Sequence, residues 1–265
     1  MLTVPRSLTN EMISLTLLPA ASRDGGAISV VVPVWRESES VIETLREIAA
    51  WPEVREVIVV IAEETEEFRV AVESTGALCI PAGRPNRGRQ MNLGARNAGG
   101  EWLLFHHADS ELTRAHVHVL ASLRGAVGGA FHRKFDERHP HCRWIEPIER
   151  WRNQHRGALF GDQSIFVRRA HFEKLGGFAE IPLMEDIEFS KRLRRSGPIA
   201  LLDPPIATST RKHAAHGAWK TTLTNATLIF LYNLGVSPDR LHAWYYGIRR
   251  PAEAPTPALP QTYEN

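Results

Sequence analysis

Cysteine is scarce: 265 residues carry two thiols, Cys79 and Cys142. They form no CxxC pair and no zinc-ligand spacing, which excludes a zinc ribbon and a disulfide-stapled scaffold and points to a reduced, cytoplasmic setting. Long apolar runs are missing as well. The longest, near Thr227–Leu234, falls far short of the roughly 20 residues a membrane-spanning helix needs. Ile13–Ala21 (ISLTLLPAA) follows Glu11 and has only Arg6 as an early cation, so it reads as a lead-in rather than a signal peptide. Neither sign of charge dominates. With 32 Lys+Arg against 30 Asp+Glu and a net charge of +2, the chain has no nucleic-acid signature, and any basic patch must be local. A glycine-rich, Lys-bearing phosphate loop is also lacking: PVWRESES follows the first apolar run, which argues against a nucleotidyltransferase built on such a loop. No internal repeat is visible.

What is present suits one large globular domain, alone or with a small appendage, since 43% of residues are hydrophobic. Asn86–Ser110 (NRGRQMNLGARNAGGEWLLFHHADS) organises the rest. Arg89–Ala98 reads as a helix with small or apolar residues at Met91, Leu93, Gly94, Ala95 and Ala98, stopped by Gly99 and Gly100 in a left-handed cap. Glu101–His107 reads as a strand buried on both faces. Asp109 then sits at a strand's carboxyl end, where open α/β sheets meet their ligands. Arg87 and Arg89 bring cations to the same crevice, a layout suited to a metal-bound diphosphate.

Upstream, Ile28–Val34 is a buried strand ended by Pro33 and Trp35, and Ser38 caps a helix to about Ala50. Val54–Ile61 is a second strand, Glu63–Glu73 an acidic helix, and Ala77–Ile80 a third strand. A helix spans Thr113–Leu123. The alternation predicts a mostly parallel sheet with crossover helices. From Val127, VGGAFHRKF reads as an edge or bent strand whose glycines allow a bulge. Cys142–Arg156 is amphipathic and basic, Gln163–Arg168 a strand, and Gly176–Gly177 the close of a short helix. Glu185–Arg195 is a helix with Ile187, Phe189 and Leu193 inward and Lys191, Arg192, Arg194 and Arg195 outward. Ile199–Leu202 is a last strand, and Lys212–Leu234 and Pro238–Ile248 are helical. The expected organisation is a lead-in at 1–26, a catalytic domain at 27–210, a helical subdomain at 211–250 and a disordered tail at 251–265.

Each chemical candidate has a plainer alternative. Asp109 could simply end a strand or cap the next helix; His107, two residues before it, makes an Asp–imidazole set able to hold Mg²⁺ or Mn²⁺ with phosphate oxygens. His106 points the other way, toward core. Glu185 and Asp186 open a helix, where carboxylates suit the dipole; alternatively Asp186 is a general base positioned by Glu185. Gly161-Asp162-Gln163 is a turn or the lining of an acceptor pocket. Arg211-Lys212-His213 is a solvated cluster or a source of phosphate contacts, with His213 as a third metal ligand. His139–Cys142 (HPHC) reads as surface. The apolar and aromatic residues after Lys212 read as core of the C-terminal helices, and they leave open a dimer face or a shallow membrane contact.

Four stretches in order, ISVVVPVWRE, RGRQMNLGARNAGGEWLLFHHADS, GDQSIFVRR and PLMEDIEFSKRLRRSG, resemble glycosyltransferase family 2 over residues 28–250. GRGRQMN, HAD, GDQ and SPDRLHAWY are similar to a narrower bacterial branch, the radical-SAM/selenodomain-associated transferases of arsenosugar biosynthesis type. The resemblance implies an α/β GT-A (Rossmann-like) fold and an inverting, hexosyltransferase-like transfer from a nucleoside-diphosphate sugar to a small-molecule or lipid-linked hydroxyl, aided by Mg²⁺ or Mn²⁺. It implies donor contacts at Pro33, Glu37 and Arg89 and a metal ligand at Asp109; Trp35, Glu63, Gln90, His107 and Arg211 are the further candidate donor contacts, and His213 the further candidate metal ligand. It further implies Asp186 as base with Glu185, and acceptor contacts at Gly161, Asp162 and Gln163. Two departures stand out. Ile61 occupies the place of a base-binding aspartate, which weakens that recognition or moves it to Glu63, and His107 replaces the first carboxylate of the usual Asp-x-Asp. They motivate a second reading, a sugar-nucleotide binding protein that no longer transfers.

Overall fold

The computed structural model describes residues 27–35, 40–63, 65–135, 158–208 and 218–247. In chain order these form β1 (Ile28–Trp35), α1 (Ser40–Ala50), β2 (Val54–Ala62), α2 (Glu66–Glu73), β3 (Leu78–Gly83), α3 (Arg87–Arg96), β4 (Trp102–Phe105), β5 (Ser110–Glu111), α4 (Arg114–Ser122) and β6 (Gly128–Phe135). After a single 3-10 turn at Gly161–Gln163 come β7 (Phe166–Arg168), α5 (Arg169–Leu175), α6 (Glu185–Ser196), β8 (Ile199–Thr208), α7 (Ala218–Asn233) and α8 (Pro238–Tyr246). The expected amphipathic stretch Cys142–Arg156, the lead-in and the tail lie outside the described residues.

The strands make one eight-stranded sheet in the order β3-β2-β1-β4-β7-β6-β8-β5. β3, β2, β1 and β4 run parallel, as do β6 and β8, whereas β7 and β5 pair antiparallel with their neighbours. Alternate residues of β1 feed two cores. Val30, Val32 and Val34 pack with Val41, Leu45 and Ile48 of α1 and Val117 and Leu120 of α4. Val31 packs with Met91 and Ala95 of α3, Phe172 of α5 and Phe189 and Leu193 of α6. Helices on both faces explain why β1 and β2 are apolar without alternation. The result is the expected mixed, mostly parallel sheet with a helical C-terminal extension. α7 and α8 join it through Leu228 and Leu241, which cluster with Met184 and Ile187.

Four local expectations are corrected. α3 ends at Arg96 with Asn97 as its cap, and neither Gly99 nor Gly100 is left-handed. Close packing requires Gly100, where a Cβ would lie 2.6 Å from Ser29 Oγ and 2.7 Å from Ser29 N, whereas one on exposed Gly99 would meet the movable Arg55 side chain. β6 is interior, between β7 and β8. Its irregularity falls between Phe131 and Arg133 rather than at the glycines, and Gly128 and Gly129 are needed because a Cβ would strike the backbone carbonyls of Phe166 and Ala200. Pro33 does not end β1, which continues to Trp35 against β2. Pairing with β4 stops at Val31↔Phe105, so Pro33 lacks its N–H where no ladder partner waits. α2 starts at Glu66, capped by Thr65, whose hydroxyl accepts from Phe68 N; Glu63, at φ 60°, sits in the loop before it.

Candidate active site

The carboxyl ends of β1, β2 and β4 open on one crevice, and the start of α3 builds its wall. Asn86 caps that helix, its Oδ1 accepting from Arg89 N at 2.9 Å while its Nδ2 donates to Glu180 O at 3.1 Å. The cap therefore also ties the α3 loop to the segment leading into α6. Gly88 allows that approach, because a Cβ would meet the Ala179 carbonyl. Gln90, 3% exposed, donates from Nε2 to Val34 O (2.9 Å) and Val60 O (2.8 Å). Its amide nitrogen thus ties the ends of β1 and β2 together at the crevice floor, a framework task instead of the expected donor contact.

Four groups gather around Arg87. Glu185, 4% exposed, lies 3.5 Å from its guanidinium. Burial works against the Arg87 charge, but Glu185, Asp186, Tyr246 and Asp109, in that order, more than offset it and hold its pKa up. Asp109 and Asp186, 77 positions apart in sequence, thus both act electrostatically on the same guanidinium. Arg89, the arginine expected to meet the donor, lies two residues further along α3, about half a turn around the helix, and is exposed like Arg87.

The 3-10 turn links Asp186 to His107. Gly161 N donates to Asp186 Oδ2 at 2.8 Å, and Ile187 N donates to Oδ1 at 2.7 Å. A Cβ on Gly161 would stand 2.5 Å from His107 Cε1 and 2.7 Å from Nε2, so the glycine backbone lies directly on the imidazole. Burial first, and Glu185 second, push the Asp186 carboxyl up to about 7; the Gly161 N–H, Arg87 and the Ile187 N–H pull the other way. A carboxyl poised near neutrality and fixed by two N–H groups can take a proton at neutral pH. Its neighbours in the turn have structural partners. Asp162 pairs with Arg133 of β6, and Gln163, 1% exposed, accepts from Phe160 N at 2.9 Å and donates to Phe131 O at 3.3 Å. His106 is core, as expected: its Nδ1 is 2.8 Å from Ser164 Oγ, and burial lowers its pKa to about 4.

The remaining expected positions divide. Trp35, 45% exposed, stands at the end of β1, and Glu63 is exposed at the end of β2. Ile61 is 2% exposed and belongs to the core. Glu37, Arg211 and His213 lie outside the described residues. Arg133 and Tyr246 were absent from the sequence-based site, and Arg87, expected at the crevice, was given no contact of its own there. Arg87 could have been chosen over Arg89 by its place at the helix start; Arg133 and Tyr246 reach the site from distant elements and leave no local signal.

The donor set suits a shared metal better than a caged one. Among the described residues no group of three His, Cys, Asp or Glu side chains could hold an ion. Asp109, half-buried two residues beyond His107, has as its hydrogen-bond contact Ser110 Oγ at 3.5 Å, a weak one. A lone carboxylate at a strand end fits Mg²⁺ or Mn²⁺, which keep several waters and take phosphate oxygens from the substrate.

Residues 29–170 match the family model described as glycosyl transferase family 2. A comparison with curated proteins finds no match. Among solved structures, the fold is similar to that of mannosyltransferase PcManGT from Pyrobaculum calidifontis, in complex with GDP-Man and Mn²⁺, at 19% identity over 87% of this chain and 72% of that one, with a TM-score of 0.57. S. aureus TarS 1-349 in complex with UDP-GlcNAc is similar at 15% identity, covering 83% and 71%, with a TM-score of 0.51. Glucosyl-3-phosphoglycerate synthase from Mycobacterium tuberculosis, in complex with Mn²⁺, UDP-glucose and glycerol 3-phosphate, is similar at 20% identity, covering 72% and 75%, with a TM-score of 0.50.

Proposed function

The chain belongs to glycosyltransferase family 2, and we propose on that ground that it transfers a sugar, with inversion, from a nucleoside-diphosphate sugar to a hydroxyl acceptor. The observation that carries this reading is the convergence of Asp109, Glu185 and Asp186 on Arg87 at the carboxyl end of the sheet, where such folds bind ligands. PcManGT with GDP-Man and Mn²⁺, and the synthase with Mn²⁺ and UDP-glucose, support the donor class and the metal. GRGRQMN, HAD, GDQ and SPDRLHAWY are what support the narrower arsenosugar-type branch.

In this scheme the acceptor hydroxyl attacks the anomeric carbon from the face opposite the diphosphate, and Asp186 Oδ takes its proton. The bond from that carbon to the diphosphate oxygen breaks, and its electron pair leaves with the phosphate. One displacement gives inversion. Glu185, buried and paired with Arg87, orients the guanidinium toward the departing charge. Asp109, with His213 as a further expected ligand, would hold Mg²⁺ or Mn²⁺, which would add stabilisation for the leaving diphosphate. Glu63 and Trp35 border the nucleoside at the mouths of β2 and β1. Incubation of pure protein with labelled GDP- and UDP-sugars, with and without Mn²⁺, tests the reading. Binding without any sugar release or transfer would leave the non-catalytic alternative.

Two further results are expected. The pH profile of kcat/KM should rise through about 7 and level off above it, because the Glu185–Asp186 pair must lose a proton before the base can act. A flat profile from acid to alkaline pH would remove Asp186 as base. Gly161→Ala should lower kcat by about 10- to 100-fold with a smaller change in donor KM, since its Cβ pushes the turn off His107 and displaces the N–H that aims Asp186. Steady-state kinetics beside a melting curve check this; unchanged kcat in a folded variant would contradict it.

A further inference from the structure

Exposed apolar side chains concentrate on the C-terminal helix pair. Leu223, Phe230 and Leu234 are 70%, 62% and 67% exposed, and Trp244 and Tyr245 of α8 are 57% and 39% exposed. At about 100° per residue, Leu223, Phe230 and Leu234 fall within about 40° of arc, opposite the buried Leu228. From Thr221 to Val236 there is no charged residue. A solvent-facing helix normally carries charge on its outer face, so this stripe calls for a partner.

Charge indicates which one. Residues 203–253 hold six cations, Arg211, Lys212, Lys220, Arg240, Arg249 and Arg250, against three acids, Asp203, Asp239 and Glu253, so this stretch carries +3 while the whole chain is +2. An apolar stripe on a helix paired with one that exposes Trp and Tyr, in a stretch of sequence with an excess of cations, matches an anionic lipid surface, into whose headgroup boundary ring and aliphatic groups enter and whose charge favours basic sequence. A second copy of the chain would carry the same excess of positive charge and repel it. α7 is 16 residues long, and no described helix is long and apolar enough to cross a membrane, so the contact is interfacial. The pair also adjoins the crevice, since Tyr246 at the end of α8 acts on Arg87.

We propose that the outer face of α7, through Leu223, Phe230 and the Leu234 that directly follows the helix, docks onto anionic membrane surfaces. The test is flotation of the full chain with vesicles of phosphatidylcholine containing about one-third phosphatidylglycerol, a fraction that gives a strongly negative surface. The protein should float with these vesicles, stay down with pure phosphatidylcholine, and be released by high salt. The triple variant Leu223→Ser/Phe230→Ser/Leu234→Ser should lose at least about tenfold in bound fraction with an unchanged melting temperature. Phe230→Asp alone should act in the same direction if the triple variant folds poorly. Wild-type protein that remains at the bottom of the anionic gradient overturns the proposal. So does light scattering that shows a dimer dissolved by these substitutions, which would assign the stripe to a second copy. Flotation that appears only after residues 1–26 are removed would assign it to the chain's own amino-terminal segment. None of these readouts involves sugar transfer, so the result stands or falls separately from the catalytic reading.

Discussion

Asp186→Asn is expected to lower kcat by about 10³-fold, as loss of a general base does, while donor KM or Kd changes little and the fold becomes more stable. Both effects come from the same environment. The asparagine Oδ1 can still accept one of the N–H groups from Gly161 and Ile187 that now meet the aspartate at 2.8 and 2.7 Å, so the turn keeps most of its anchor, but no basic oxygen remains for the acceptor proton. The stability gain follows from linkage. The Asp186 carboxyl is raised from the ordinary 3.8 to about 7 in the fold, so between those values the folded state binds more protons than the unfolded chain. Stability is then fully present below the lower value and is lost as pH rises through the upper one. Replacing the carboxylate should raise the melting temperature by a few degrees at pH 8, and the advantage should fade toward pH 4. A merely structural aspartate would give the opposite pattern, with lower melting temperature and donor binding lost together with rate. Isothermal titration with donor, and melting curves across pH, separate the two.

The parts of this site that can be read from the chain are those whose signal is local. β1, β2 and β4 are continuous apolar runs because helices cover both faces of the sheet, and Asp109 and Asp186 stand where a strand ends and a helix begins. What escaped depends on tertiary pairing. Gly128 and Gly129 look like a bulge in an edge strand, yet they are small because the carbonyls of Phe166 and Ala200 lie against them inside the sheet. β5 has two residues and exists through its pairing with β8 nearly a hundred positions later. Gln90 and Gln163 read as polar groups for a ligand, but their amides are spent on backbone carbonyls and an N–H of neighbouring elements. No local pattern distinguishes a glutamine that meets a substrate from one that ties strand ends together. The exchange of Arg89 for Arg87 is subtler: both lie at the start of α3, and only the approach of α6, carrying Glu185, decides which one enters the crevice.

Ile61 shows how a departure from a family pattern changes meaning once its surroundings are known. As a sequence feature it removes a hydrogen-bond acceptor from the expected nucleobase contact. In the fold its side chain is in the core, and Glu63, two residues on and left-handed at φ 60°, is the exposed acid at the end of β2. A non-glycine residue in that region is uncommon and often marks a functional loop. This weakens Ile61 as an argument for lost catalysis and leaves His107 as the remaining one. His107 lies against the Gly161 backbone, so in this chain the imidazole supports the turn that aims Asp186, where the family's usual carboxylate would carry charge.

With His107 in that supporting place, Asp109 is left as the described carboxylate for the cation, and Asp109→Ala should expose this dependence. For the nucleoside diphosphate that raises the melting temperature most in the presence of Mn²⁺, the variant's affinity should fall by roughly 100-fold, about 2.7 kcal/mol, to the level the wild type shows in EDTA. Added Mn²⁺ should no longer improve binding, and turnover should vanish with it. The fold should hardly notice. The Asp109 side chain's hydrogen-bond contact is the 3.5 Å one from Ser110 Oγ, too long to hold structure, and Arg87 keeps Glu185 at 3.5 Å. The melting temperature without ligand should therefore stay near that of the wild type. The two variants share the loss of turnover and differ in the rest: Asp109→Ala also loses donor affinity and metal response with stability unchanged, whereas Asp186→Asn keeps donor affinity and gains stability. Calorimetry that shows equal Mn²⁺-dependent donor binding in wild type and Asp109→Ala would place the cation elsewhere. Equal losses of affinity in the two variants would mean that the carboxylates share one task instead of dividing two.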